Sequence, residues 1–276
     1  MKKILVPTDF SAGADRALAY ANALASHSGA EVLLLHTLEL PLPQYALQPE
    51  GMQDYNHYRV VEAREQLQRY HEQHPADSGT KLTTLLAIGP TVELVVEKAE
   101  QHEADLIVMG TRGAGGLRKL LGTNAAAVLS ASRIPVLIVP QDFGGGIPQH
   151  IALAIQQEER EEVLAPAFRL QAQLCAHLTT LMFSAETDPA EVIQDELVLQ
   201  RVSRKWKEDF GVASLEATHI TGVDFDTALN RYINEEGIDL LVMVTHRKGG
   251  LQSLFRKSTT REQAFQSRIP LLSLHA

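Results

Sequence analysis

A single cysteine, Cys175, stands in 276 residues. No disulfide can therefore close within the chain, which suits a reducing compartment. The expected place of Cys175 is that of a small buried hydrophobe. Positive charge is short as well: 25 Lys and Arg face 34 Asp and Glu, for a net charge of −9. A generic nucleic-acid binder needs the opposite balance. No apolar run approaches the ~20 residues of a membrane helix. The start, Met1-Lys2-Lys3-Ile4-Leu5-Val6-Pro7, lacks the long apolar stretch of a signal peptide and reads as a first strand. These absences point to a cytoplasmic protein with neither membrane nor nucleic acid as a partner. What is present is a 45% apolar chain, long enough for two ordinary domains, each with its own core.

The chain repeats itself. Ala104-Asp105-Leu106-Ile107-Val108-Met109-Gly110-Thr111 returns as Ile238-Asp239-Leu240-Leu241-Val242-Met243-Val244-Thr245, and Ser132-Arg133-Ile134-Pro135 returns as Ser267-Arg268-Ile269-Pro270. The first pair of segments stands 134 positions apart and the second 135, so the intervening loop is one residue shorter in the first copy. The first copy keeps Gly110, Gly113 and Gly122 and the second has lost those three, which points to one working anion site on a two-part scaffold. The pattern divides the chain into residues 1–140, a Gly-rich linker at 141–148 ending in Pro148, and residues 149–276.

Within each copy, short apolar runs alternate with amphipathic stretches, the pattern of a parallel α/β sheet. In the first copy, strands are expected at 4–6, 32–36, 82–87, 106–109 and 136–139. Helices are expected after the Ser11 cap, over about 54–73, over 91–101 and over 125–131. Pro41 and Pro43 open a loop before the second helix. The second copy offers strands at 151–155, 178–183, 215–220, 240–244 and 271–274.

Chemistry concentrates in the segment Gly110-Thr111-Arg112-Gly113-Ala114-Gly115-Gly116, which continues to Gly122-Thr123-Asn124. It leaves the carboxyl end of a parallel strand, where open α/β sheets bind ligands. Glycines let the backbone approach a ligand closely. The helix that Gly122-Thr123-Asn124 opens offers free amides and a positive dipole to a phosphate. Neither a Walker loop nor a dinucleotide fingerprint fits: Gly115 is followed by Gly116-Leu117, and the third fingerprint glycine is replaced by Arg118.

With Val6-Pro7-Thr8-Asp9, Leu35-His36-Thr37, Gly89-Pro90 and the Gly-rich loop together, nearly the whole chain resembles a tandem universal stress protein, two such domains in one polypeptide. The resemblance implies two Rossmann-like domains, each a five-stranded parallel sheet in the order 3-2-1-4-5 flanked by helices. It also implies an adenine nucleotide site for ATP, with or without Mg²⁺. By position, Pro7 and Thr8 would line the base pocket, Asp9 would face ribose and adenine, and the Thr37 backbone would read the adenine edge. Met109, Gly110 and Gly113 would pass close to ribose and phosphates, and Gly122, Thr123 and Asn124 would cradle the phosphates. The family's nucleotide binders carry Gly-x2-Gly-x9-Gly-Ser/Thr, whereas only eight residues separate Gly113 from Gly122 here. Implied partners are an adenine nucleotide and a regulated protein, with a homodimer or an intrachain pseudo-dimer as the assembly. In such a pseudo-dimer the last strands of the two copies meet across a pseudo-twofold axis.

The second copy puts Val244, Arg247 and Lys257 where the first has Gly110, Gly113 and Gly122, and Gln156 in place of Asp9. Side chains there obstruct backbone approach, so nucleotide is not expected in this half. Arg247, Lys248, Arg256 and Lys257 form either a solvated loop or a weak anion site. His71 and His74 suggest a metal pair but lack a third ligand. Asp9 also fits a plain turn residue, and His36 a hydrogen-bonded core histidine. No Ser-His-Asp set or activated cysteine emerges. The expected role is therefore a ligand-dependent regulatory switch; the alternatives are a scaffold without nucleotide and a slow ATPase.

Overall fold

Strands of a parallel sheet are buried on both faces, so they are written as unbroken aliphatic runs. Ile4, Leu5 and Val6 are wholly buried, as are Ile107 and Val108 in the first half and Leu240, Leu241 and Val242 in the second. The computed structural model describes residues 1–40, 49–76, 79–111, 123–185, 189–212, 215–246 and 268–276.

In chain order the first half runs β1 Lys3–Thr8, α1 Ala12–Ser28, β2 Glu31–Leu38, α2 Pro49–Gln73, β3 Leu82–Ile88, α3 Thr91–Gln101, β4 Leu106–Gly110, α4 Thr123–Ala131 and β5 Val136–Val139. The second half runs β6 His150–Ile155, α5 Glu161–Leu174, β7 His177–Ala185, α6 Pro189–Asp209, β8 Leu215–Gly222, α7 Phe225–Glu235, β9 Leu240–Thr245 and β10 Leu271–His275. Helix α2 begins five residues before the expected Asp54, with Pro49 at its first position, where a missing amide costs nothing. The loop expected at Pro41 and Pro43 lies outside the described residues.

The ten strands among the described residues join one sheet in the order β3-β2-β1-β4-β5-β10-β9-β6-β7-β8. Each half reads 3-2-1-4-5, and the halves meet at β5 and β10, which pair antiparallel through Leu137 with Leu272 and Ile138 with Leu271. Every other pairing is parallel.

Alternate strand residues feed two cores, one on each face. Ile4, Val6, Leu34 and Val108 pack with α1 on one face, and the same core continues through Leu153, Val242 and the fully buried Trp206. Leu5, Leu33, Ile107 and Met109 pack with α3 and α4 on the other, continuing into Leu241 and Met243. Two core layers thus run the length of the sheet, through both halves. The cause is the β5–β10 pairing, which leaves no gap between the halves.

The linker is pinned rather than loose. Phe143 is buried with its ring 5.8 Å from that of Tyr20, and its amide donates to the Pro140 carbonyl at 3.0 Å. Cys175 corrects another expectation: it is exposed and ends α5 at φ 51. It occupies the left-handed position that Gly29 takes after α1 at φ 70, where its amide donates to Gln171 as that of Gly29 does to Ala25.

Candidate functional site

The crevice of a doubly wound sheet opens where the strand order reverses. In the first half that point lies between β1 and β4. Beyond β1 a tight turn leads into α1. The Thr8 hydroxyl, buried, accepts the Phe10 amide at 3.0 Å. Asp9 Oδ1 accepts the Ser11 amide at 3.1 Å, and Ser11 caps α1 by accepting from Ala14 at 3.3 Å. Asp9 is exposed and Pro7 half-buried. The turn role expected of a plain Asp9 is therefore present. His36 Nδ1 donates to the Thr8 carbonyl at 2.9 Å, as a core histidine would. Thr37, next on β2, ties its hydroxyl to that of Thr91 on α3 at 2.8 Å.

At the end of β4, Met109 is buried and Gly110 lies against α1. A Cβ on Gly110 would fall onto the Gly13 carbonyl, and one on Gly13 would come 2.5 Å from the Thr111 carbonyl oxygen. The glycine demand at Gly110 therefore has a packing cause as well as the ligand cause implied by the resemblance. Thr111 is 2% exposed and its hydroxyl has no partner among the described residues. Helix α4 begins with Thr123 and Asn124, both exposed, and buries Ala125, Val128 and Leu129. Gly113, Gly122, Arg112 and Arg118 lie outside the described residues. The fold thus sets Gly13, just beyond the Pro7-Thr8-Asp9 turn, against Gly110. Thr37 stands one strand away on β2.

The equivalent place in the second half is built differently. Val244 is buried where Gly110 stands, and Gln156 is exposed where Asp9 stands. Helix α1 lies chiefly over β4, whereas α5 lies chiefly over β10. Just before α5, Glu159 is 5% exposed and 3.1 Å from His246 Nε2 at the end of β9. Burial raises the Glu159 pKa, opposed by the charges of His246 and Arg160. An anion entering here meets a buried carboxylate. The basic cluster of Arg247, Lys248, Arg256 and Lys257, and with it Ser258, lies outside the described residues.

Two groupings were not legible in the sequence. Tyr70 on α2 donates to Asp15 Oδ1 at 2.6 Å, and His74 Nε2 lies 3.7 Å from the same oxygen. Together with Phe10, Gln66 and Arg69 they line an open groove of about 260 Å³. Burial first, then the Asp15 bond, raises the Tyr70 pKa. The inward spacing of Ala63, Leu67, Tyr70 and His74 was the available signal. His74 Nδ1 is meanwhile bonded to the Tyr70 carbonyl at 3.0 Å. Among the described residues no group of His, Cys, Asp or Glu is placed to hold a metal.

The second grouping is Ser184, His219 and Asp195, which do converge although no such set was expected. Ser184 Oγ donates to Asp195 Oδ2 at 2.6 Å and lies 2.7 Å from His219 Nε2. With its proton given to the carboxylate, the serine accepts from His219. The order is serine in the middle, whereas nucleophile activation needs histidine there. Ser184 is also 2% exposed, so the trio is a buried tether and not a catalytic triad.

Fold and crevice together define a tandem of doubly wound α/β domains joined edge to edge, with differently built sites in the two halves. The universal stress protein family model matches residues 1–140 and again 148–275, and the chain belongs to that family. Universal stress protein MJ0531 of Methanocaldococcus jannaschii is 33% identical over 139 residues, spanning 50% of this chain and 81% of its own. A universal stress protein of Thermus aquaticus is 34% identical over 140 residues, spanning 50% of this chain and 98% of its own. The crystal structure of a universal stress protein from Archaeoglobus fulgidus matches 98% of this chain and 97% of its own with a TM-score of 0.70 at 18% identity, so the fold extends through both halves. No helix among the described residues is long and apolar enough to cross a membrane.

Proposed function

We propose that the first domain, residues 1–140, binds an adenine nucleotide, ATP with Mg²⁺ being the first choice, and that the protein acts as a cytoplasmic, ligand-dependent regulatory switch of the stress response. The observation that carries this reading is the convergence at the β1–β4 crevice. Gly13, four residues after exposed Asp9, lies against Gly110 and the Thr111 carbonyl, and the buried Thr111 hydroxyl has no partner among the described residues. Thr123 and Asn124 at the start of α4 present a hydroxyl, an amide and first-turn backbone N–H groups suited to phosphate oxygens. Asp9 suits the ribose hydroxyls, Pro7 and Thr8 the base, and the Thr37 backbone the adenine edge. Met109, Gly113 and Gly122 complete the set. A switch requires the nucleotide to bind one state of the segment between Gly110 and Asn124 better than another.

The second domain, residues 149–276, is read as a structural or partner-facing half, because buried Val244 replaces Gly110 and buried Glu159 faces His246 at the end of β9. No base or metal carboxylate is assigned to phosphoryl transfer, so hydrolysis is at most slow. The assembly is an intrachain pseudo-dimer, with a homodimer of whole chains as a further step. Titration calorimetry with ATP and Mg²⁺ tests the reading. One site per chain is expected, weakened by Asp9→Ala and by Gly113→Val and unchanged by Ser258→Ala. Absence of binding at about 1 mM nucleotide, a binding free energy weaker than about −4 kcal/mol, leaves the scaffold without nucleotide, which the shortened loop favours.

A further inference from the structure

We infer that Tyr70 of α2 is a positioning residue for Asp9, acting through Phe10; the inference rests on the nucleotide reading of the first domain. Phe10 adopts φ 61. A bulky side chain rarely takes the left-handed region, and it persists there only where its surroundings hold it. Two restraints are visible. The Thr8 hydroxyl accepts the Phe10 amide at 3.0 Å. The Phe10 ring is also held between two others, with its centroid 4.4 Å from His36 and 5.1 Å, edge-on, from Tyr70.

Each flanking ring is itself anchored. His36 is fixed to the Thr8 carbonyl at 2.9 Å, so one side of the stack belongs to the same turn. Tyr70 is buried and tied through its hydroxyl to Asp15 at 2.6 Å, and His74 lies against its outer face at 4.2 Å. The line Asp15–Tyr70–Phe10 therefore runs from two helices to the residue that follows Asp9. Its effect is to hold the turn in the one backbone state in which Asp9 Oδ1 accepts from Ser11 at 3.1 Å.

The second half supports a link between brace and site. Gln157 follows Gln156 where Phe10 follows Asp9, and it is exposed. The ring that follows the turn is therefore absent where Asp9 has become Gln156.

The test is a double-mutant cycle on ATP–Mg²⁺ affinity, read by calorimetry. Tyr70→Leu keeps apolar volume but removes the ring and hydroxyl; Tyr70→Phe keeps the ring. Tyr70→Leu is expected to weaken ATP by about 10-fold and Tyr70→Phe by about 2-fold, orders of magnitude set by loss of one ring contact or one hydrogen bond. In an Asp9→Ala background, Tyr70→Leu should cost almost nothing further, because the carboxylate it positions is gone. Thermal melting of each ligand-free variant, together with amide exchange at Phe10 and Ser11, reads the brace without nucleotide. Both amides should exchange faster in Tyr70→Leu. Full additivity of the two substitutions, or unchanged exchange at Phe10 and Ser11, overturns the brace while leaving the nucleotide reading intact. Failure of the wild-type chain to bind ATP removes the nucleotide reading, and the positioning role falls with it.

Discussion

The carbonyl oxygen of Gly13 occupies the space in which a side chain on Gly110 would begin. Helix α1 rests directly on the end of β4 because both residues lack a Cβ. Gly110→Val is therefore expected to lift the start of α1 and to cost roughly 2–3 kcal/mol, as overpacked cores do. Urea unfolding checks it: a lowered midpoint with an unchanged slope is the expected result. An unaltered midpoint would show that the contact is easily relieved.

The Glu159–His246 pair gives a second expectation. His246→Ala leaves a buried carboxylate without its partner, a loss of about 2 kcal/mol near neutral pH once the half-exposed histidine is discounted. Removing the histidine raises the Glu159 pKa further above its ordinary value. The penalty should then shrink as acidification protonates Glu159. Glu159→Gln should make His246→Ala nearly silent. Urea midpoints from pH 5 to 8 measure both effects.

Asp226, in the first turn of α7, is pushed up from its ordinary 3.8 to about 6 by burial and, secondarily, by Asp224. Its Oδ1 is buried without a partner among the described residues. Between these two values the folded chain holds a proton that the unfolded chain releases. Stability from this group is complete below about pH 4 and is lost as pH rises through about 6. Asp226→Asn is expected to be the more stable form at pH 7 by about 1 kcal/mol, after discounting for partial exposure. It should match wild type near pH 4. Greater stability of wild type at pH 7 would contradict the sign.

Asp105 and Asp239, the acidic residues that align the repeats, do the same work twice. Asp105 accepts the amides of Lys2 and Lys3, and Asp239 those of Gln149 and His150. Each carboxylate thereby fixes the start of the first strand of its half. Alanine at either position is expected to cost about 1 kcal/mol, and the double variant the sum, since the two share no partner. Thermal or urea unfolding would reveal any coupling.

The strands were legible because burial on both faces writes them as aliphatic runs, and the repeat made the second set readable from the first. The early start of α2 was hidden by its polar composition; only its inward face, including Leu67 and Tyr70, touches the core. Cys175 was misplaced because a left-handed helix end is a backbone requirement, and its usual glycine marker is absent there. At the candidate site, motif positions single out Asp9, Thr37 and Gly110 as an expectation. Glu159 and His246 lie 87 residues apart, and nothing local in either segment announces the partner. The same holds for Gly13 against Gly110, whose glycines serve each other across the sheet and helix layers.

The antiparallel seam between β5 and β10 has a consequence for how the two halves can change. Two separate chains that meet by their edges find one another by diffusion, and any two copies can exchange. Here the partner is tethered, so the pairing is independent of protein concentration. Every molecule also holds one first half and one second half, never two of a kind. A substitution such as valine for the glycine of β4 can therefore enter one side without appearing on the other. The seam lets one half carry Gly110 at the end of β4 while the other carries buried Val244 and the Glu159–His246 pair.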